Sequence, residues 1–321
     1  SLFFSLRISL SIMLEDNQMT ELINLDTFRD LMVAGMQKVI SEQAHLNTIN
    51  VFPVADGDTG TNLALTFGGV LSDCADWHGN TIASYMSALA DSAIMQARGN
   101  SGTIFAQFFV GLSQCLCDEN VTSKLSMKQF LSAVKMANKY ATESISDPKQ
   151  GTVLTIMRDF SDECERYSCR EHNNDFVQLF FHSLKRIEAS LAETPNQLSV
   201  LKEANVVDAG AQAFVDFIQG INQYLRTGEL VEFKPTQANL EQVDLCDKHN
   251  HAPSEYRYCT ECVVDTEDIN VDQLRSFLNK KGDSVIVAGS KRRIKIHVHT
   301  NDPQEVFNYC QRVGKVSRSK A

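Results

Sequence analysis

Apolar residues recur at helical spacing over most of the first 225 positions. Phe28, Leu31, Met32, Val39 and Ile40 share one helical face behind Asp26 and Thr27, which can cap that helix. A second run starts near Thr103 with Ile104, Phe105, Phe108, Phe109, Leu112 and Leu116. A third follows Ser126 as cap, with Phe130, Leu131, Val134, Met136 and Ala137. Further amphipathic runs fall at about 152–168, 174–192 and 211–226. Six to eight such helices with short connections predict an all-helical bundle or barrel over 20–227. The texture changes at Gly228. Residues 228–255 are polar and aperiodic and read as a linker. Beyond them Tyr258–Val264, Ser284–Ala288 and Arg293–His299 alternate like short strands, with helical patterns at Val271–Lys280 and Pro303–Arg312. Residues 256–321 therefore predict a small α+β domain.

Charge and cysteine content narrow the function classes. The 321 residues carry 30 Lys+Arg against 40 Asp+Glu, a net charge of −10. That balance argues against a nucleic-acid binder, which normally shows a basic footprint, and against a polybasic membrane-surface protein. Nine scattered cysteines suit a reducing compartment better than a disulfide framework. Ser1 to Leu14 is mostly apolar, but it is shorter than the roughly 20 apolar residues that a membrane span needs. It also lacks a basic n-region and a small-residue cleavage site. Residues 1–19 therefore read as a leader outside the fold, and the expectation is a cytoplasmic protein without a transmembrane segment.

Two loops carry candidate chemistry. The first is Asn50-Val-Phe-Pro-Val-Ala-Asp56-Gly-Asp58-Thr59-Gly-Thr61-Asn62. Asp56 and Asp58 stand two residues apart, and Gly57 and Gly60 free the backbone. Mg²⁺ takes oxygen ligands at about 2.1 Å and commonly combines one or two carboxylates with substrate phosphates. A tight Asp-Gly-Asp turn suits that demand, and Thr59, Thr61 and Asn62 at a helix start can donate to phosphate oxygens. On its own the same run also reads as a surface turn with an N-cap. The second loop is Ala97-Arg98-Gly99-Asn100-Ser101-Gly102-Thr103, which leads into the Ile104 helix. A Gly-rich helix start offers backbone N–H groups to an anion, yet alone it is equally an ordinary cap. It lacks the Gly-Lys-Ser/Thr ending of a P-loop.

Together the two loops resemble the ATP-binding domain of fatty acid kinase, itself similar to the ATP-binding subunit of dihydroxyacetone kinase. Gly151-Thr152-Val-Leu-Thr155 and Val207-Asp208-Ala209-Gly210-Ala211 match later segments of that family. The resemblance implies a mainly α, eight-helix barrel of the dihydroxyacetone kinase L type, with ATP and Mg²⁺ at one end. By the match, Asp56 and Asp58 would hold Mg²⁺, while Thr61, Asn62 and Ser101 would contact phosphates. Gly99 and Gly102 would admit the backbone to the ligand, with Thr59 and Asn100 beside them. Asp208 and Gly210 would lie near the nucleotide. The dihydroxyacetone kinase pattern has a further Asp upstream of the first loop. Here Asn50 stands in that region and is a candidate to supply an oxygen. Arg98 either stabilises charge during transfer or forms a salt bridge within the barrel.

In the α+β domain, His297-Val-His299 places two imidazoles on one face of a strand, and Cys259 lies on another. One Cys and two His could bind Zn²⁺, or they could be a core cysteine and two half-buried histidines. Cys262 should point to the opposite face. Tyr258-Cys-Thr-Glu, Gly282-Asp-Ser and Ile296-His-Val-His-Thr-Asn-Asp-Pro303 resemble the middle domain of fatty acid kinase. That resemblance implies zinc at Cys259, His297 and His299.

A carboxylate acceptor is already a nucleophile, and no general base stands out beside the Asp-Gly-Asp loop. The resemblance to fatty acid kinase implies, and the missing base fits, a kinase that phosphorylates a fatty-acid carboxylate presented by a DegV-like binding protein or fused domain. A small-polyol kinase and a nucleotide-responsive regulatory module are the alternatives, and a homodimer is compatible with any of them. The chain ends near where a fused module would continue.

Overall fold

The computed structural model describes residues 21–145, 148–171, 174–230, 256–266, 269–289 and 293–321. The predicted leader and nearly all of the predicted linker lie outside the described residues. Among the described residues, eight helices of 15 to 20 residues build the first unit: α1 (Leu25–Ser41), α3 (Thr59–Cys74), α4 (Ile82–Gln96), α5 (Gly99–Asp118), α6 (Met127–Glu143), α7 (Val153–Glu171), α8 (Phe176–Ala192) and α11 (Ala209–Thr227). Short helices α2 (Gln43–Thr48), α9 (Thr194–Gln197) and α10 (Ser199–Ala204) fill the connections. A small antiparallel pair, β1 (Leu22–Asn24) with β2 (Lys124–Ser126), ties the start of α1 to that of α6. The eight long helices fall within the six to eight that the apolar periodicity predicts and match the eight-helix barrel that the resemblance implies. No helix among the described residues is long and apolar enough to cross a membrane.

The helix starts follow their capping chemistry. Ser126 caps α6 in a reciprocal capping box with Gln129, as read from the sequence. At α1 the cap is Asn24, whose side chain accepts the Thr27 N–H at 2.9 Å, so the helix starts before Asp26 and Thr27. α5 begins at Gly99, four residues before Thr103.

The barrel interior is aromatic. Phe67, Phe105, Phe109, Phe214 and Phe217 are almost wholly buried, with ring centroids 5.2 to 6.4 Å apart and several edge-to-face contacts. Phe105 meets Phe214 and Phe109 meets Phe217, so α5 and α11 face each other across this interior. α1 runs against α11, with Tyr224 donating to Asp30 at 2.6 Å and Gly220 packed on the Ala34 carbonyl.

One core group is costly. Asp216 on α11 is only 3% exposed. Its Oδ1 accepts from Gln212, while its Oδ2 has no hydrogen-bond partner among the described residues. Burial pushes this carboxyl up to about 6 from 3.8, with Glu42 adding to the rise and Lys38 and His45 opposing it. A folded-state value above the unfolded one favours the protonated form, so stability should fall as pH rises from about 4 through 6. At pH 7.5 the penalty is at most about 3 kcal/mol. Asp216→Asn should therefore raise the melting temperature at pH 7.5 and have little effect at pH 4.5. Thermal melts across that range check it, and destabilisation at pH 7.5 would contradict it.

The second unit is a four-stranded antiparallel sheet of β3 (Tyr258–Asp265), β4 (Gly282–Gly289), β5 (Arg293–Thr300) and β6 (Lys315–Lys320), in the order β4-β5-β3-β6. Helices α12 (Val271–Asn279) and α13 (Pro303–Val313) complete it. Cys262, Val264, Val287, Ile296 and Val298 form a core with Leu274, Leu278, Val306 and Cys310 of those helices. The opposite sheet face meets the barrel. Ile286 and Ala288 join the barrel's apolar core, and Arg275 donates to the Glu143 carbonyl at 3.0 Å.

Candidate active site

The Asp-Gly-Asp loop is shaped by a buried amide. Asn50 is 5% exposed, and its Oδ1 accepts the backbone N–H groups of Asp58 and Thr59, each at 3.0 Å. Its Nδ2 donates to the Val54 carbonyl at 3.2 Å. This corrects the expectation that Asn50 lends an oxygen to a ligand, because that oxygen already serves two donors. Asn50 instead folds the loop back so that Asp56 is exposed and Asp58 becomes the N-cap residue of α3. Gly57 completes the turn with φ +68°, a conformation that disfavours side chains.

The first turn of α3 is anchored from α2. Asn47 accepts the Thr61 N–H at 3.0 Å and donates its amide to Thr61 Oγ1 at 2.9 Å, while Gln43 donates to the same oxygen at 3.2 Å. The Thr61 oxygen thus accepts two bonds, and its hydroxyl proton is what it can offer an anion. Gly60 allows this approach, since a Cβ there would lie 2.1 Å from the Gln43 carbonyl oxygen. Neither Gln43 nor Asn47 is flagged by motif or spacing.

The second loop abuts the first. Gly99, at φ +60°, lies so close to Asn62 that a Cβ would meet its amide nitrogen at 2.7 Å. Gly102 is equally close to Thr66 Oγ1. Thr66 is fully buried; it donates to the Asn62 carbonyl at 2.7 Å and accepts the Arg98 N–H at 3.0 Å. Both loops therefore sit on one hinge residue that sequence reasoning missed, its one signal being its place a helical turn after Asn62. Asn100 is exposed and Ser101 half-buried in the first turn of α5, where a helix has no carbonyl of its own for its amides. The Arg98 side chain is exposed and forms no ion pair among the described residues, so the salt-bridge alternative is not realised there.

Asp208 has a structural task. It is 4% exposed and caps α11 by accepting the Ala211 N–H at 2.8 Å, with the Val153 and Gly210 amides close by. Burial pushes its carboxyl up to about 6 against the pull of those three amides. The approach of Val153 brings the start of α7 to that of α11. Gly210 lies against Val153, where a Cβ would come within 3.4 Å. The start of α3 thus meets that of α5 at Asn62 and Gly99, so that at one end of the barrel the positive dipole ends of these two helices converge beside Asp56 and Asp58, while the start of α7 meets that of α11 at Val153 and Gly210. That end can receive a polyanion and a hard cation together.

The second candidate cluster lies on the barrel-facing side of the sheet. His297 and His299 have ring centroids 5.1 Å apart; their Nδ1 atoms lie 3.1 Å from Glu261 and 3.4 Å from Asp283. Cys259 pairs in register with His299, but its side chain lies outside the described ones. Cys262 does turn to the opposite face, against Cys310. Among the described residues, no group of three or more His, Cys, Asp or Glu could hold a metal ion. Zinc therefore gains no support from them.

Both units of the chain resemble known proteins. The FakA-like middle-domain model of the fatty acid kinases matches residues 255–321. An uncharacterized protein of Staphylococcus haemolyticus is 31% identical over 307 residues, covering 93% of this chain and 54% of the relative. One from Staphylococcus saprophyticus is 32% identical over 302 residues, covering 91% and 54%. The chain spans about half the length of these curated relatives. Among solved structures, the native dihydroxyacetone kinase of C. freundii has a TM-score of 0.45 at 12% identity, covering 62% of this chain and 34% of that one. The same enzyme with AMP-PNP and Mg²⁺ has a TM-score of 0.47 at 16% identity over the same shares. The DAK2 domain model matches residues 53–223, which take in Asp56–Asn62, Gly99–Gly102, Thr66 and Asp208 and exceed half of the chain, so this protein belongs to the DAK2 family.

Proposed function

We propose that this chain is the ATP-binding part of a kinase that transfers the γ-phosphoryl group to the carboxylate of a fatty acid. The acid is presented by a DegV-like binding protein or domain. The observation that carries the ATP site is the seating of the Asp56–Asn62 loop against the Gly99–Gly102 loop where α3 and α5 start. Membership of the DAK2 family and the match to the FakA-like middle domain of the fatty acid kinases support the kinase class and the acceptor.

Asp56 and Asp58 would hold Mg²⁺, which when bound neutralises phosphate charge. The hydroxyl proton of Thr61, the amide of Asn62 and the first-turn N–H groups of α5 would orient the phosphates. Arg98 would add positive charge where the transferred group develops negative charge. A carboxylate oxygen attacks the γ-phosphorus, the bond to the β,γ-bridging oxygen breaks, and ADP leaves. The acceptor gives up no proton, so the lack of a base at the loop is consistent with this acceptor. His45, the histidine nearest in sequence, is exposed on α2. Zinc at Cys259, His297 and His299 belongs to the same family reading, with Glu261 and Asp283 placed to orient the imidazoles.

The test is ADP release by the chain with Mg·ATP and a fatty-acid-loaded DegV-like protein, with acyl phosphate trapped by hydroxylamine. The expected result is hydroxamate formed only when all components are present. Turnover with free dihydroxyacetone and none with the loaded protein would overturn the carboxyl acceptor.

A further inference from the structure

The structure assigns to Lys295, a residue of the α+β domain, the positioning of the phosphate-receiving loop of the barrel. Lys295 stands on β5, on the same sheet face as His297 and His299, and pairs in register with Ala288, which packs into the barrel core. Its ammonium donates to the carbonyl of Ala97, the C-cap residue of α4 and the residue before Arg98-Gly99. The Lys295 side chain is only 13% exposed, with Glu261 Oε2 at 3.9 Å. A nearly buried ammonium needs firm acceptors, and a helix C-terminus is where a cation is favoured.

What makes this more than a domain contact is the peptide it touches. The Ala97–Arg98 peptide is held on both sides: its carbonyl by Lys295, its N–H by Thr66 of α3 at 3.0 Å. A peptide plane fixed at both ends cannot rotate, and this one directly precedes Gly99. Downstream, the Arg98 carbonyl accepts the Gly102 N–H at 3.1 Å and the Gly99 carbonyl accepts from Thr103 at 2.9 Å. The direction in which the first-turn amides of α5 point is therefore set partly by a side chain some two hundred residues away. The α+β domain thereby completes a site that otherwise belongs wholly to the barrel. The consequence for nucleotide rests on the ATP-site reading above; the clamp itself does not.

The test compares the full chain with Lys295→Met and Lys295→Arg. Hydrogen exchange in nucleotide-free protein reads the clamp, and calorimetry with Mg·ATP reads its use. In Lys295→Met, amides 98–103 should exchange faster while 286–288, which report domain docking, stay protected. Mg·ATP affinity should fall about 10-fold, as for other groups that orient a ligand-contacting shell, with restoration by Lys295→Arg. Unchanged exchange at 98–103 in Lys295→Met overturns the clamp whatever the nucleotide does. Faster exchange with unchanged Mg·ATP affinity overturns its role in the site. A wild type that does not bind Mg·ATP overturns the ATP-site reading, and the exchange comparison still decides the clamp.

Discussion

Replacing Asp56 and Asp58 together with Ala should abolish Mg²⁺-dependent ATP binding while leaving the melting temperature nearly unchanged. Asp56 is exposed, and the Asp58 side chain makes no N-cap bond to the first turn of α3, so the helix start does not rest on a cap from either carboxylate. The residues that shape the loop, Asn50, Gly57 and Gly60, remain in the variant. Without the pair, the starts of α3 and α5 still attract phosphate, but no carboxylate is left at the turn to fix a hard cation. The affinity loss should be at least about 100-fold, equivalent to about 3 kcal/mol. Calorimetry beside thermal denaturation measures both quantities. Unchanged binding in the folded double variant would move the metal to other residues.

The second large effect is expected at Asn50. Asn50→Ala leaves the Asp58 and Thr59 N–H groups without their acceptor and releases the Val54 carbonyl. Two stranded donors, partly reachable by water, should lower stability by about 2 kcal/mol and loosen the Asp-Gly-Asp turn. Mg·ATP affinity should fall about 10-fold with it, since Asn50 positions the residues that contact the ligand. Asn50→Asp separates two roles. Its carboxylate can still accept both N–H groups, but it faces the Val54 carbonyl without a proton to give. If Asn50 acts through the loop, Asn50→Asp should lie between Ala and wild type in stability. Wild-type stability and Mg·ATP affinity in Asn50→Ala would show that the loop is shaped by something else.

Much of this architecture can be read from the chain because its determinants are local. Six of the eight long helices follow from apolar spacing, while α3 and α4 have no such run read for them, and Ser126 announces α6 as its cap. The three strands Tyr258–Asp265, Gly282–Gly289 and Arg293–Thr300 follow from β-branched alternation. Helix starts are harder. Asn24, Asp26 and Thr27 are all good caps, and only backbone geometry shows that Asn24 is used. The Gly-Asn-Ser-Gly start of α5 hides its first turn behind residues that favour turns. β6 escapes notice because Lys315–Lys320 alternates charge with small polar groups and offers little apolar stripe.

At the site, the residues that could touch a ligand are visible as a motif, while those that hold them are not. Gln43, Asn47 and Thr66 are single polar residues within helices, and nothing nearby in sequence states which loop each one reaches. Asn50 stands out, yet spacing does not tell a ligand from a brace; the two N–H groups on its oxygen decide that. Asp208 belongs to a visible segment, and its burial, which is a long-range property, turns it into a helix cap. Lys295 has no signal at all, since its partner lies in the other unit.

The most direct test of the central claim is calorimetric titration of the wild-type chain with ATP, first in Mg²⁺ and then in EDTA. One ATP per chain bound in Mg²⁺, with the signal lost in EDTA, is the predicted result. Binding of equal strength without Mg²⁺, or none by the folded chain in either buffer, would contradict the assignment of the Asp56–Asn62 and Gly99–Gly102 loops as a Mg·ATP site.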